Sequence, residues 1–239
     1  MGEERFRVLV VIPVYNEENG IRTVLQRFKG ITVDKILVIN DGSTDSTGEV
    51  IRRFPAEIIK HLEKQGVGSC IRDGIDHAIE NHYDIAVIMA GNGKDDPREI
   101  PLLLKPIIQE DCDYVQGSRY LKGGKAENTP LVRAVGIRAL TFLWSVLLRR
   151  KLTDITNGFR AYKISLFENP EINIRQEWLS GYELEYYIHF WVLKLGYMFK
   201  EVPVSKIYPA KKDYSKIRPF VDWWSIIKPL FYLSLRIRE

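Results

Sequence analysis

Short apolar runs alternate with amphipathic stretches through the first half of the chain. Residues 7–12 read as a strand, and 18–29 as a helix with Ile21, Val24, Leu25 and Phe28 on one face. Residues 36–39 form a second strand, followed by a helix over 45–54 that Asp45 is placed to cap. A short strand is expected at 57–60, a helix at 67–81 and a strongly apolar strand at 84–89. After a loop at 90–97, a helix over 98–109 begins behind Pro97, and Asp113–Gln116 reads as a further strand. Strands alternating with helices predict an α/β fold, a mostly parallel sheet flanked by helices on both faces.

The second half is less regular. Residues 130–150 predict a long apolar helix that carries Arg133, Arg138, Arg149 and Arg150. Another helix is expected over 181–195, with Gly196 as its C-cap, and a strand over 197–204. Residues 219–237 predict a C-terminal amphipathic helix with Trp223, Trp224, Ile226, Ile227, Leu230, Phe231 and Leu233, broken at Pro229. There is no repeat and no low-complexity linker. The chain therefore divides into an α/β domain over 1–208 and a basic amphipathic extension over 209–239.

Its 239 residues suffice for one large domain with a full core. A net charge of +4 is too mild to indicate a nucleic-acid partner, and none is expected. The basic excess is concentrated at the end. From Lys206 to Glu239, eight Lys and Arg residues face three acids, and an anionic surface or ligand is their natural partner. Cys70 and Cys112 have no metal spacing and form no disulfide framework, and the four histidines are scattered. Both facts fit a reducing cytosol. The first residues lack the apolar core of a signal peptide. No uncharged apolar run reaches the ~18 residues of an ordinary spanning helix, so none is expected.

Candidate chemistry lies where strands end. Pro13-Val14-Tyr15-Asn16-Glu17 closes the first strand: Tyr15 can stack on a base and Glu17 can accept hydrogen bonds from a ribose or base. Asn40-Asp41-Gly42-Ser43-Thr44-Asp45 closes the second. The Asp41 carboxylate there suits a base N–H or a ribose hydroxyl, and Gly42 permits a sharp turn. Plain turn chemistry accounts for either segment alone. Together, at the ends of two early strands, they make the layout of a nucleotide site on a parallel sheet. Pro13, Tyr15, Glu17, Asn40, Asp41 and Gly66 are its expected binding residues. After the strand at 84–89 comes Ala90-Gly91-Asn92-Gly93-Lys94-Asp95-Asp96-Pro97, and further on Gly117-Ser118-Arg119-Tyr120, Arg133 and Asp154-Ile155-Thr156-Asn157-Gly158-Phe159-Arg160.

In order and spacing these segments resemble family 2 glycosyltransferases of the GT-A (Rossmann-like) fold. Within that family they are similar to the polyprenyl-phosphate sugar synthases, which include dolichol-phosphate mannosyltransferases. The resemblance covers roughly residues 7–208. In the family an Asp-x-Asp after the third long strand holds a divalent ion on the donor diphosphate. Here Ala90 and Asn92 stand in those positions, and Lys94 replaces a frequent further ligand. Two readings stay open. The Lys94 ammonium can replace the metal as a fixed charge on the leaving diphosphate. Alternatively, Mg²⁺ or Mn²⁺ is held weakly by the diphosphate, water, Asn92 and Asp95. The resemblance further implies that Arg119 and Arg133 bind the acceptor phosphate, with Arg138 close by. Ile137 stands where the family has a hydroxyl, and Asn157 and Ile155 replace its Ser and Pro. Segments 181–185 and 196–204 match as scaffold, and Lys211 or Lys212 stands for a later basic position.

The implied reaction moves a sugar from a nucleotide-sugar, GDP- or UDP-linked, to a polyprenyl phosphate with inversion at C1. Asn92, Lys94, Arg119 and Arg133 would carry it. A phosphate monoester is already an anionic nucleophile near neutral pH, so no general base is required. Helices 130–150 and 219–237 have apolar faces with basic flanks, suited to peripheral contact with the cytosolic face of a membrane or to packing on the protein itself. A soluble acceptor on the same fold, or a non-catalytic glycosyltransferase-like subunit, are the competing readings.

Overall fold

The computed structural model describes residues 5–208 and 221–235; for Val221, Asp222, Trp223 and Ser234 only the backbone is described. Lys211, Lys212, Ser215, Lys216 and the last residues of the expected terminal helix lie outside these, as does the Trp223 side chain. Strands and helices alternate as β1 (Val8–Val14), α1 (Glu18–Arg27), β2 (Lys35–Asn40), α2 (Thr47–Ile51), β3 (Glu57–Lys60), α3 (Val67–Glu80), β4 (Ile85–Ile88), α4 (Ile100–Glu110) and β5 (Tyr114–Ser118). There follow β6 (Lys125–Glu127), α5 (Leu131–Leu148), β7 (Arg160–Lys163), α6 (Glu183–Lys194), β8 (Phe199–Pro203), β9 (Ser205–Ile207) and α7 (Val221–Ser234).

Seven strands form one sheet in the order β3-β2-β1-β4-β7-β5-β8, and β6 pairs with β9 in a small second sheet. Only β7 runs antiparallel, against both β4 and β5. Leu9, Val10, Val11 and Ile12 of β1 are all fully buried, because the sheet is covered on both faces. One core gathers α3, α6 and the inner side of α5, with Trp144 at its centre; the other gathers α1 and α4.

The sheet delivers β1, β2 and β4 to one end, β1 and β2 finishing level and β4 three residues earlier, where Ile88 pairs with Val11. Val14 pairs with Asn40 across β1 and β2. Beyond the strands the loops are stitched together: Asp41 N donates to Val14 O at 2.9 Å, Gly91 N to Pro13 O at 3.2 Å and His61 N to Asn40 O at 2.9 Å. This end, where the strand order reverses between β1 and β4, is where an open α/β sheet binds its ligand.

Several elements differ from expectation. α2 is one short helix, Thr47–Ile51, with Ser46 at its N-cap; Asp45 Oδ1 instead accepts from Thr47 N at 3.0 Å. β6, β7 and β9 were not foreseen, being three or four residues long and paired with distant segments. α7 runs unbroken through Pro229. Gly196, with φ of +83°, closes α6 as expected: its N–H donates to Leu193 O and that of Tyr197 to Val192 O.

α5 is 18 residues long with a mean hydropathy of 1.7, long and apolar enough to cross a membrane by those measures although Arg133 and Arg138 interrupt it. Only 17% of it is buried. Leu131, Val132, Val135, Phe142, Leu143 and Val146 form an exposed apolar strip along it. α7 is two-sided. Leu233 is buried and Tyr232 packs on Trp178 with ring centroids 5.4 Å apart, while Trp224, Phe231 and Leu235 are exposed.

Candidate active site

The residues expected to bind a nucleotide lie at the ends of β1 and β2 and at the start of α3. Asp41 was expected to face a ligand, yet it is 3% exposed and its carboxylate is engaged by the protein. Oδ1 accepts from Gln65 N at 2.7 Å and is 2.8 Å from His61 Nδ1; Oδ2 accepts from Gly66 N at 2.9 Å. Asp41 and Gly66 thus form one braced corner. Gly66 has φ of +104°, and a Cβ there would lie 2.4 Å from Ser180 O, so the position requires glycine. Asn40 is also buried, with Oδ1 accepting from Ser43 N. Pro13 is the second-last residue of β1, its carbonyl accepting from Gly91 N, and the Tyr15 ring has Lys64 Nζ 4.3 Å from its centroid. Glu17 is close enough to Lys94 to act on its charge.

Behind Asp41, His61 Nε2 is 2.7 Å from Asp73 Oδ2. Burial would lower the His61 pKa, but the hydrogen bonds to Asp41 and Asp73 outweigh it and raise it. Cys70 completes a group whose ligand atoms lie within 4.8 Å of one another, an arrangement the scattered sequence positions had concealed. Both imidazole nitrogens face carboxylates, and burial together with Asp41 and Asp73 pushes the Cys70 thiol well up. The group forms a hydrogen-bonded brace behind the Asp41 corner.

The loop after β4 turns its oxygens inward. Asn92 Oδ1 accepts from Lys94 N at 3.2 Å. Asp95, expected as a metal ligand, is fully buried: Oδ1 accepts from Lys206 Nζ at 2.8 Å and Oδ2 from Ala90 N at 3.3 Å. That expectation is corrected here, because both carboxylate oxygens serve the loop and β9. Lys94 is pulled down to about 8, first by burial and then by the charge of Lys206, with Arg133 adding to the effect and Glu17 opposing it.

On the acceptor side, Arg119 at the end of β5 is 3% exposed. Its Nε and one terminal nitrogen each lie 2.6 Å from an oxygen of Asp154, which is wholly buried. The remaining donors reach Thr156 Oγ1 at 2.6 Å and Tyr208 Oη at 2.9 Å. Arg119 therefore holds the 154–156 turn and does not present an open fork. The Thr153 and Asp154 amides are in turn held by Glu201, whose carboxyl pKa is raised by burial. Arg133 and Arg138, on the first turns of α5, are more accessible. Arg133 lies over Tyr208 (5.2 Å to the centroid) and Arg138 over Tyr120 (5.6 Å). Among the described residues, Tyr120 Oη and Thr129 Oγ1 beside them are buried without a hydrogen-bond partner.

Tyr208 joins the two halves and was not anticipated. Its ring has Lys94 Nζ 5.4 Å from the centroid on behalf of the donor loop and Arg133 at 5.2 Å on behalf of α5. β9 sets it there: Ile207 N donates to Lys94 O at 3.1 Å, and strand alternation puts Lys206 and Tyr208 on the same side. The structure thus brings Lys94, Arg119 and Arg133 to one ring, while Asn92 contacts the Lys94 amide. Lys206, Asp154 and His61 are the other residues that sequence reasoning missed; each meets its partner from a distant segment.

The sequence profile of Glycosyl transferase family 2 matches residues 9–169. The undecaprenyl-phosphate mannosyltransferase of Micrococcus luteus is 31% identical over 205 residues, 83% of each chain. The UDP-N-acetylglucosamine–dolichyl-phosphate N-acetylglucosaminyltransferase of Methanococcus voltae is 30% identical over 66% of this chain and 70% of its own. Among solved structures, glucosyl-3-phosphoglycerate synthase from Mycobacterium tuberculosis in complex with Mn²⁺ and UDP-glucose has a TM-score of 0.69 at 18% identity, covering 98% of this chain and 80% of that one. Mannosyl-3-phosphoglycerate synthase from Rubrobacter xylanophilus has a TM-score of 0.72 at 16% identity, covering 97% and 74%. The chain therefore belongs to glycosyl transferase family 2 and is a glycosyltransferase of GT-A fold.

Proposed function

We propose that the enzyme transfers a sugar from a nucleoside-diphosphate donor to a polyprenyl phosphate, at the cytosolic face of a membrane. The observation that carries this reading is the shared Tyr208 ring, with Lys94 Nζ of the loop after β4 5.4 Å and Arg133 of α5 5.2 Å from its centroid. A lysine from the loop after β4 and an arginine from α5 meeting at one ring suit a reaction between two phosphorylated molecules. The relatives that act on undecaprenyl and dolichyl phosphates support the lipid acceptor.

The acceptor phosphate oxygen forms a bond to C1 of the sugar as the C1–O bond to the diphosphate breaks. The electron pair of that bond leaves with the diphosphate, and C1 inverts. The acceptor's second ionisation lies near 6, so it attacks as an anion and no residue removes a proton. Arg133 and Arg138 hold the acceptor phosphate, and the unpartnered Tyr120 hydroxyl offers a further donor. Arg119 is a positioning residue that fixes the Asp154–Thr156 turn. Holding both reactants in line supplies most of the rate gain such a site needs.

The apolar strip of α5 starts at the same turns as Arg133, so a bilayer under that strip brings a lipid phosphate to the cleft. The test is incubation of the purified protein with radiolabelled GDP- and UDP-sugars, a short polyprenyl phosphate in vesicles and, separately, 3-phosphoglycerate. Label in the organic phase as a lipid-phosphate sugar is the expected result. Label only in the soluble acceptor or in free sugar overturns the lipid assignment, and turnover of no donor overturns the enzymatic one.

A further inference from the structure

The structural neighbour with UDP-glucose carries Mn²⁺. A hard divalent cation takes about six oxygen ligands, with carboxylates foremost. The residues of this chain do not fit one. Position 90 is alanine, and position 92 is an asparagine whose side-chain oxygen closes its own loop. Asp95 is fully buried and neutralised by Lys206. Asp96 points away into Arg98, with contacts of 2.9 and 3.0 Å to Nε. Glu17 and the paired Asp95 are the acids that act on Lys94, and with Asp95 committed to Lys206 they make a poor cage. In place of anionic ligands the loop offers a cation, Lys94, and a second, Arg133, also lies within 5.4 Å of the Tyr208 centroid, close enough to act on the Lys94 charge.

We infer that this enzyme neutralises its departing diphosphate with its own cations, Lys94 foremost and Arg133 beside it, and binds no divalent metal on the donor loop. The inference rests on the sugar-nucleotide reading above. Lys206 contributes indirectly. By pairing with Asp95 it neutralises the buried carboxylate next to Lys94 in the loop. The charge that a metal would bring with each donor is instead built into the chain. As the C1–O bond breaks, the electron pair accumulates on the diphosphate oxygen, and a fixed ammonium stabilises it without reorganisation.

The test measures binding of UDP and of GDP by calorimetry to the full chain, with EDTA and then with Mn²⁺ or Mg²⁺. Uridine and guanosine serve as probes without phosphate. For whichever diphosphate binds, affinity is expected to change less than about twofold between EDTA and metal. Lys94→Gln is expected to weaken it by roughly 10- to 100-fold, the worth of a charged hydrogen bond, with nucleoside affinity unchanged and Lys94→Arg retaining most of it. Water-proton relaxation is expected to detect no stoichiometric Mn²⁺ in the complex. A gain on the order of tenfold with Mn²⁺, or stoichiometric Mn²⁺ in the complex, overturns the inference and leaves the donor reading standing. Wild-type affinity in Lys94→Gln overturns it as well. Binding of neither diphosphate under any condition overturns both.

Discussion

Arg119 and Asp154 form a closed two-pronged ion pair, with both short contacts at 2.6 Å and both side chains essentially without exposure. Removing one partner of such a pair leaves a buried charge alone. Asp154→Asn is expected to cost about 3–5 kcal/mol of stability, read by urea denaturation. A loss under about 1 kcal/mol would mean that the pair is solvated and the turn is held by something else.

The two arginines assigned to one phosphate have different surroundings, so their variants should fail differently. Arg133→Ala is expected to lower kcat/KM for lipid phosphate by roughly 10- to 100-fold with an unchanged melting temperature. Arg119→Ala is expected to lower the melting temperature as well. Equal behaviour of the two variants in both measurements would contradict the division into contacting and positioning roles.

Tyr208→Phe keeps the ring but removes the acceptor of one Arg119 donor. A buried donor left without a partner is expected to cost ~1–3 kcal/mol. Tyr208→Leu also removes the aromatic face under Lys94 and Arg133 and is expected to reduce transfer further. Full activity in the leucine variant would show that the ring is mere packing.

His61 gives stability a pH dependence of known sign. Burial alone would depress its pKa, but Asp41 and Asp73 lift it above the ordinary 6.5. Its contribution is therefore complete below pH 6.5 and is lost as pH rises through the folded-state value. Denaturation between about pH 5 and 9 should show wild-type stability falling over that window relative to His61→Gln. A constant difference between the two proteins would mean that His61 does not change its charge there.

Val135 and Val146 lie on the exposed strip of α5. Val135→Glu and Val146→Glu are each expected to weaken binding to anionic vesicles by on the order of tenfold, measured by sedimentation, with the melting temperature unchanged. Vesicle binding equal to wild type would remove α5 from the membrane contact.

The donor half of the fold was legible because its strands are continuous apolar runs. Leu9–Ile12 and Leu37–Ile39 are buried on both sides and can be little else. Arg119 and Arg133 were also legible, through a resemblance carried by local motifs. What completes the site was not, because it arrives from afar. Asp154 reaches Arg119 across 35 positions, Tyr208 reaches it across 89, and Lys206 reaches Asp95 across 111. The short strands that deliver them, such as β9, have too few residues to show a period. Burial likewise reversed the outlook of Asp41 and Asp95, whose letters suggested ligand contact and whose oxygens were needed by backbone amides, His61 and Lys206.

One phenol touches the machinery for both substrates. Because the same ring meets Lys94, Arg119 and Arg133, a displacement of Tyr208 by either incoming molecule shifts the reception prepared for the other. With donor and acceptor bound as proposed, the two are energetically linked, and each one's affinity is expected to change by the same factor when the other is present.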